Sequence, residues 1–367
     1  MKAAVYTTFN SPLEIRDDLE VSAPHAGELK IRLAASGVCH SDLSIMNGTL
    51  PLPPPMVLGH EGAGVVEEIG EGVEGFEIGD HIIVSWVPQC GSCFFCQHDQ
   101  GYLCEKAQMA TMTGGLLDGT KRITSGGQEI GQMSAAGTFA EVTIIPAIGA
   151  VKIAKDIDLK AAALVGCGVL TGVGAALNTA VIREGDTVAV IGCGGVGLNV
   201  IQGARIAGAS KIIAIDMQPN KLELAKKFGA TDTVNAGDGD PVSAVQGLTA
   251  ERGADVAFEV IGLQATIDQA INMTRRGGET ILVGVPPLNV AINIPAMFGL
   301  IAQAKTIKGC WYGGANVQRD VPKLIELYQS GKLMLDELIS REIKLEGGND
   351  ASGAMSGGEV ARSVIVY

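Results

Sequence analysis

Between residues 188 and 311 six short stretches alternate with helix-forming segments: VAVIG (188–192), KIIAID (211–216), DTVN (232–235), VAFEVIG (256–262), TILVGV (280–285) and TIKGCW (306–311). Parallel strands need a crossover helix to reach their neighbours and are covered on both faces, so they read as apolar runs. The pattern predicts a doubly wound parallel sheet of six strands. Its first strand runs into Gly192-Cys193-Gly194-Gly195-Val196-Gly197, a G-x-G-x-x-G between strand and helix. That context suits a pyrophosphate: a tight turn, a backbone open to close approach, and a helix N-terminus facing the charge. The next strand ends in Asp216, about 20 residues on, where a carboxylate accepts from a ribose 2′-OH and repels a 2′-phosphate. NAD is therefore the expected cofactor. The plain alternative is a glycine-rich turn beside an acidic surface residue.

The chain has 367 residues, which suggests two domains. Before about residue 170 the texture is different: β-like segments such as GELKIRLAASG and GDHIIVSW lie between Gly and Pro turns, including PLPPP at 51–55. Beyond 311 a helix is expected from Val321 to Ser330, then a last strand, SVIVY, returning to the first domain. The start, MKAAVYTTFNSPLEIRDD, has no apolar core of a secretory signal, so a cytoplasmic, reducing compartment is expected and structural disulfides are not. An uncharged run from Ala161 to Ile182 is long enough to span a membrane, but its four glycines, two threonines and asparagine favour a buried helix and turn. A formal charge of -13 without a basic cluster argues against nucleic acid and anionic membranes and leaves a small-molecule partner.

Four of the eight cysteines stand together in CGSCFFCQHDQGYLC, at Cys90, Cys93, Cys96 and Cys104. C-x-x-C-x-x-C-x7-C brings four thiolates around one tetrahedral ion with no open position, a structural zinc lobe over about 88–106. The competing reading is an exchange-active thiol pair, which belongs at a helix start beside a strand; this loop offers no such frame. Cys39, His60 and Cys167 form a second candidate set. Cys₂His with one open position is a catalytic zinc arrangement, but each residue also has a plain role as a small buried hydrophobe or a turn histidine, and composition leaves both open.

GHEGAGVVEEIG fits G-H-E-x-x-G-x5-G, and the other landmarks stand in order along the chain: Cys39 in GVCHSD before it, then the four-cysteine lobe, Cys167, GGVG and VGVPP (283–287). In these motifs, which span the whole chain, the sequence resembles the zinc-dependent medium-chain alcohol dehydrogenase family, and residues 105–136 resemble the long insert of its class III-type branch. The implied fold is α/β: a mainly β GroES-like catalytic domain (1–168 and 312–367) around a Rossmann domain (169–311). Cys39, His60 and Cys167 match the catalytic zinc ligands, Glu61 a carboxylate assisting ligand exchange, Asp42 the acid that orients the histidine, and Ser41 the hydroxyl taking the alcohol proton. Besides the glycine loop and Asp216, the resemblance implies cofactor contacts from His40, Thr171, Lys221, Val260, Val283, Val285 and Arg362. It implies a substrate pocket at Leu50, Trp86, Met109, Met133 and Trp311, the two indoles leaving a narrow apolar channel.

The implied activity is reversible oxidation of primary or secondary alcohols with NAD and two zinc ions per chain, in a homo-oligomer, dimer favoured over tetramer. Two departures stand out. Some relatives end the proton relay in a histidine where this chain has Ser44, so the proton must leave through water or another group. Relatives that oxidise the glutathione adduct of formaldehyde hold its carboxylate with an arginine where this chain has Gln108, and with a polar anchor where it has Leu50. That activity is the alternative. A non-catalytic NAD- or zinc-binding protein is the alternative of another class. Glycine-rich EGGNDASGAMSGGE (346–359) departs from the helix usual in the family.

Overall fold

Glu28–Val38 (β1), eleven residues long, is the spine of the first half of the chain. Leu29, Ile31, Leu33 and Ala35 alternate onto its buried face, as a strand's two-residue period requires. Glu61–Ile69 (β2) pairs antiparallel on one side, with Glu61 opposite Gly37. Arg362–Val366 pairs antiparallel on the other, with Val364 opposite Gly37, so the end of the chain returns to its beginning. His81–Val84 and Ala150–Ile153 extend the sheet beyond β2, and Ile339–Ile343 lies outside Arg362–Val366. A second, mixed sheet holds Ala3–Tyr6, Met56–Val57, Gln128–Gln132 and Ile123–Ser125.

In this computed structural model, which describes residues 1–356 and 361–367, contacts divide the chain into residues 1–168 with 316–367, and residues 169–315. The insert belongs to the first unit. It contains a helix, Glu105–Thr113, and the hairpin of Ile123–Ser125 with Gln128–Gln132. Buried Arg122 fastens it, with Nε 2.8 Å and Nη2 2.6 Å from the Glu28 carboxylate at the start of β1. A bidentate, charge-assisted pair fixes direction as well as distance.

Two elements differ from the sequence reading. The helix expected from Val321 runs from Val317 to Gln329, because the Asn316 side chain accepts from Arg319 N–H and starts it a turn earlier. Pro322 consequently lies inside the helix, in its second turn, where it has no N–H to donate to the carbonyl four residues earlier. The glycine-rich segment forms a helix over Gly348–Ser356 despite poor propensity. Tertiary contacts hold it: Asn349 Oδ1 accepts from Leu13 N–H and Nδ2 donates to Leu13 C=O, while Ala351 is buried. Residues 357–359 of that segment lie outside the described residues.

The second unit is built on six parallel strands: Thr187–Ile191 (β3), Lys211–Asp216 (β4), Asp232–Asn235 (β5), Ala254–Glu259 (β6), Thr274–Leu282 (β7) and Thr306–Gly309 (β8). Their spatial order is β5-β4-β3-β6-β7-β8, the doubly wound arrangement expected from the sequence. The order reverses between β3 and β6, and in such sheets the dinucleotide crevice opens at that point, beyond the strands' carboxyl ends. The uncharged run noted in the sequence forms a continuous helical stretch, Leu159–Thr179, and its most apolar window is 83% buried, as in a core helix. It contains two π-helical turns, Val165–Val169 and Ala175–Thr179.

Candidate active site and metal centres

Four elements of the first unit converge on one cluster. Cys39 is the N-cap of a short helix, His40–Met46 (α1). His60 precedes β2, Glu61 begins it, and Cys167 lies in the first π-helical turn. All four are buried, and each offers a ligand atom within 4.8 Å of the others. The positions are far apart in the chain; the register of β1 with β2 and the helix packed over them bring them together.

Asp42 makes the cluster specific. As the third residue of α1 it points back along the helix, and Oδ2 accepts from Cys39 N–H at 2.9 Å. Oδ1 accepts from Gly59 N–H at 3.1 Å and lies 3.2 Å from His60 Nδ1. One fully buried carboxylate thus caps the helix, closes the turn before His60 and fixes the imidazole. Nδ1 carries the proton toward Asp42, and Nε2 is buried with no hydrogen-bond partner among the described residues. Such an atom, facing two cysteines, fits a metal. Electrostatics agree. Cys167 beside it, with His60 and Arg362 adding their effect, holds the Cys39 thiol well below its ordinary range despite burial. Burial opposes a charged His60, but Asp42 and the Cys39 thiolate outweigh it and push the imidazole up to about 10. The charge that attracts a proton there equally attracts a divalent cation.

Glu61 is paired with the guanidinium of Arg362, both side chains being buried, and its Oε1 also accepts from Gly168 N–H at 3.2 Å. Arg362, which the resemblance makes a cofactor contact, is thus engaged inside the first unit. Gly37 explains the close pairing: a Cβ there would collide with the Glu61 carboxylate and lie 3.0 Å from Arg362 Nη2. Ser41, partly exposed, has Oγ 3.8 Å from Cys39 Sγ, and His40 is exposed on the first turn of α1. Trp86 stands edge-on to His60 at 6.3 Å between ring centroids, which puts an indole beside the cluster. Met133 lies in a hydrophobic cluster with Leu58 and Phe139, with Leu50 packed against it. Met109 is 60% exposed on the insert helix.

The four-cysteine loop closes on itself. The sulfurs of Cys90, Cys93, Cys96 and Cys104 lie within 4.8 Å of one another, and all are unpaired thiols. Cys93 N–H donates to Cys90 Sγ and Cys90 N–H to Cys104 Sγ, each at 3.4 Å. Burial works against ionisation of Cys90, but the Ser92 hydroxyl and the N–H groups of Ser92 and Cys93 bring its thiol down to about 6. Burial pushes the thiols of Cys96 and Cys104 up. Four sulfurs gathered at this spacing, without an open side, fit a structural zinc.

In the second unit, Gly192 takes φ +97° at the end of β3, and Gly197 leaves no room for a Cβ against Gly192 C=O. A Cβ on Gly194, by contrast, would meet nothing within 4 Å, leaving the loop open where a diphosphate must approach. The helix Gly195–Ile206 (α2) begins there with no acidic residue in its first turn, so its dipole is free for an anion. Asp216 closes β4, with Oδ2 accepting from Cys193 N–H at 2.8 Å and Oδ1 from Gln218 N–H at 3.0 Å. Val196, Thr171, Lys221 and Val260 are partly exposed, and Val283 is buried. Val285 and Trp311 are 39% and 47% exposed. The sequence reading passed over Glu259, whose signal was available: a carboxylate ending the apolar strand VAFEVIG.

Residues 25–155 match the family described as Alcohol dehydrogenase GroES-like domain, and residues 195–330 match Zinc-binding dehydrogenase. Alcohol dehydrogenase class-3 of Drosophila melanogaster is 42% identical over 371 aligned residues, covering all of this chain and 97% of that protein. The crystal structure of benzyl alcohol dehydrogenase from Acinetobacter calcoaceticus superposes with a TM-score of 0.94 at 30% identity, over 100% of this chain and 98% of that one. A zinc-binding dehydrogenase of Sinorhizobium meliloti 1021 bound to NADP superposes with a TM-score of 0.82 at 27% identity, over 100% and 99%. With a buried cysteine–histidine cluster, a four-cysteine loop and a dinucleotide-type sheet in one chain that matches such a relative end to end, this protein belongs to the zinc-dependent medium-chain alcohol dehydrogenase family.

Proposed function

We propose that this chain oxidises uncharged primary and secondary alcohols to aldehydes and ketones, reversibly, with NAD and two zinc ions per chain. The observation that carries the reading is His60, held through Nδ1 by Asp42 with Nε2 presented, unpartnered, to the cysteines. Cys39, His60 and Cys167 would hold the catalytic zinc, and Cys90, Cys93, Cys96 and Cys104 the structural one. A zinc ion there supplies a Lewis acid for the alcohol oxygen, and the nicotinamide supplies the hydride acceptor. The protein's own residues supply alignment and proton handling. Ser41, beside Cys39, receives the alcohol proton. Ser44 is no base near neutral pH, so the proton passes on to water. Trp86 beside His60 narrows the approach to slim or flat substrates.

Asp216, at the end of β4 beside the open glycine loop, supports NAD over NADP by accepting a ribose hydroxyl and repelling a 2′-phosphate. The eight cysteines, all thiols, support a reducing, cytoplasmic setting. One segment supports a homo-oligomer, with a dimer favoured. Leu288, Met297, Phe298 and Ile301 are each more than half exposed, an apolar stretch that association would cover.

The decisive experiment follows nicotinamide reduction with a panel of alcohols before and after chelation. Turnover that disappears on chelation and returns with zinc is expected; no turnover in a sample shown to hold zinc and NAD refutes the enzyme reading and favours a non-catalytic binding protein. The class-3 relative supports a second reading, oxidation of the glutathione adduct of formaldehyde. Gln108, exposed and neutral on the insert helix, offers no cation for the adduct's carboxylates. Including that adduct in the panel decides between them, and its dominance over plain alcohols would overturn the preference for uncharged substrates.

A further inference from the structure

Glu259, the last residue of β6, is fully buried and joins no ion pair among the described residues. Its Oε1 is crowded with donors: Gly262 N–H at 2.8 Å, Ile261 N–H at 2.9 Å and Thr266 Oγ1 at 2.7 Å. Its backbone carbonyl accepts from Val283 N–H at 2.8 Å and Gly284 N–H at 3.0 Å in the loop after β7. A single residue therefore ties the loop after β6, the first turn of the helix Gln264–Met273 and the loop after β7. Without the carboxylate, the N–H groups of Ile261 and Gly262 lose their acceptor, and the turn, which holds Gly262 at φ +91°, loses what specifies it.

The braced loops lie where the strand order reverses. A Cβ on Gly192 would come 2.6 Å from Ile261 Cγ1, so the loop after β6 forms the far wall opposite the glycine loop. A Cβ on Gly262 would come 2.6 Å from the Val285 carbonyl, so the loops after β6 and β7 are packed backbone to backbone. A dinucleotide laid across such a crevice rests its adenosine half on the first βαβ unit, where Asp216 and the glycine loop are. Its second half rests on the side of β6 and β7.

We propose that Glu259 is a positioning residue for the nicotinamide half of the cofactor, acting through residues 260–263 and 283–285, which it holds in their binding arrangement before the cofactor arrives. The inference rests on the proposed dinucleotide site. It separates two parts of that site: Asp216 and the glycine loop secure the adenosine diphosphate half, and Glu259 secures the surface that sets the nicotinamide's place.

The test compares binding of NAD and of ADP-ribose, which lacks the nicotinamide, by calorimetry on the zinc-loaded chain. Glu259→Ala is expected to weaken NAD by about tenfold or more while ADP-ribose binding stays within about twofold, with kcat reduced as well as KM for NAD raised. Glu259→Gln, which keeps an acceptor oxygen for the same three donors, is expected to restore most of the NAD affinity. Thr266→Val, which removes one donor and leaves the carboxylate, gives a smaller loss in the same direction and serves if the alanine variant does not fold. Equal weakening of NAD and ADP-ribose, or no change in either with a lowered melting temperature, overturns the proposal and makes Glu259 a structural residue of the sheet. A native chain that binds neither ligand removes the dinucleotide reading itself, and this proposal with it.

Discussion

Asp42 both caps α1 and orients His60, and two assays on one substitution separate these roles. Asp42→Asn keeps the size of the side chain. Its remaining carbonyl oxygen can still face Gly59 N–H and His60 Nδ1, but the new amide then meets Cys39 N–H, donor against donor, where a 2.9 Å hydrogen bond stood. A buried donor left without an acceptor costs about 1–3 kcal/mol. The imidazole is affected independently: a neutral amide polarises and orients it less than a carboxylate does. Loss of such an outer partner weakens metal binding by about 10–100-fold, equivalent to about 1.4–2.8 kcal/mol. Zinc competition against a chromophoric chelator measures the second effect, and urea unfolding of the metal-stripped chain measures the first. Both should move, and turnover at saturating zinc should also fall. If stability drops while zinc affinity and turnover are unchanged, Asp42 is only a helix cap and the histidine is oriented by something else.

Other perturbations address other parts of the chain. Cys93→Ser should leave one zinc per chain by metal analysis and lower the melting temperature, whereas replacing Cys167 should abolish turnover and leave the fold largely intact; an unchanged zinc content in Cys93→Ser would refute the metal reading of the loop. Asp216→Gly should weaken NAD and improve relative use of NADP. Because Asp216 also accepts from Cys193 and Gln218 N–H, total dinucleotide affinity should fall too, and an unchanged NAD/NADP ratio would remove it from the site. Asp118, on the insert, gives an acid-sensitive point. Burial raises its pKa, but hydrogen bonds from Thr120 and Arg122 outweigh that and bring it down to about 2 from 3.8. A carboxylate depressed on folding contributes stability above its unfolded value, and the contribution disappears as pH falls from about 4 to about 2. With the side chain 47% exposed, screening keeps it below about 1 kcal/mol. Proteolysis of the insert should therefore rise over that range in the native chain and be flatter with pH in Asp118→Asn; identical profiles would show that the acid transition lies elsewhere.

The motifs readable in the amino-acid sequence are those whose chemistry is complete within a few residues. The turn from β3 into α2 needs glycines at fixed spacing and an acid at the end of the next strand, and the four-cysteine loop carries all its sulfurs within fifteen positions, from Cys90 to Cys104. The parallel sheet was legible because burial on both faces leaves strands almost wholly apolar, as in TVAVI of β3. Local propensity failed where distant contacts outweigh it. The helix at Gly348–Ser356 is held by Asn349 on Leu13, hundreds of positions earlier, and no scale of helix propensity contains that bond. Cys39, His60 and Cys167 could be singled out, but as residues they were equally a pair of small hydrophobes and a turn histidine. What brings them within ligand distance of one another is tertiary: strand register sets Glu61 opposite Gly37, with Arg362–Val366 on the other side of the same strand. A carboxylate's partners are equally a tertiary matter, because burial obliges each donor and acceptor to find a match wherever the fold provides one. That is why Asp42, Glu61 and Glu259, three carboxylic acids of the same chemistry, are respectively bonded to a histidine, an arginine and a turn.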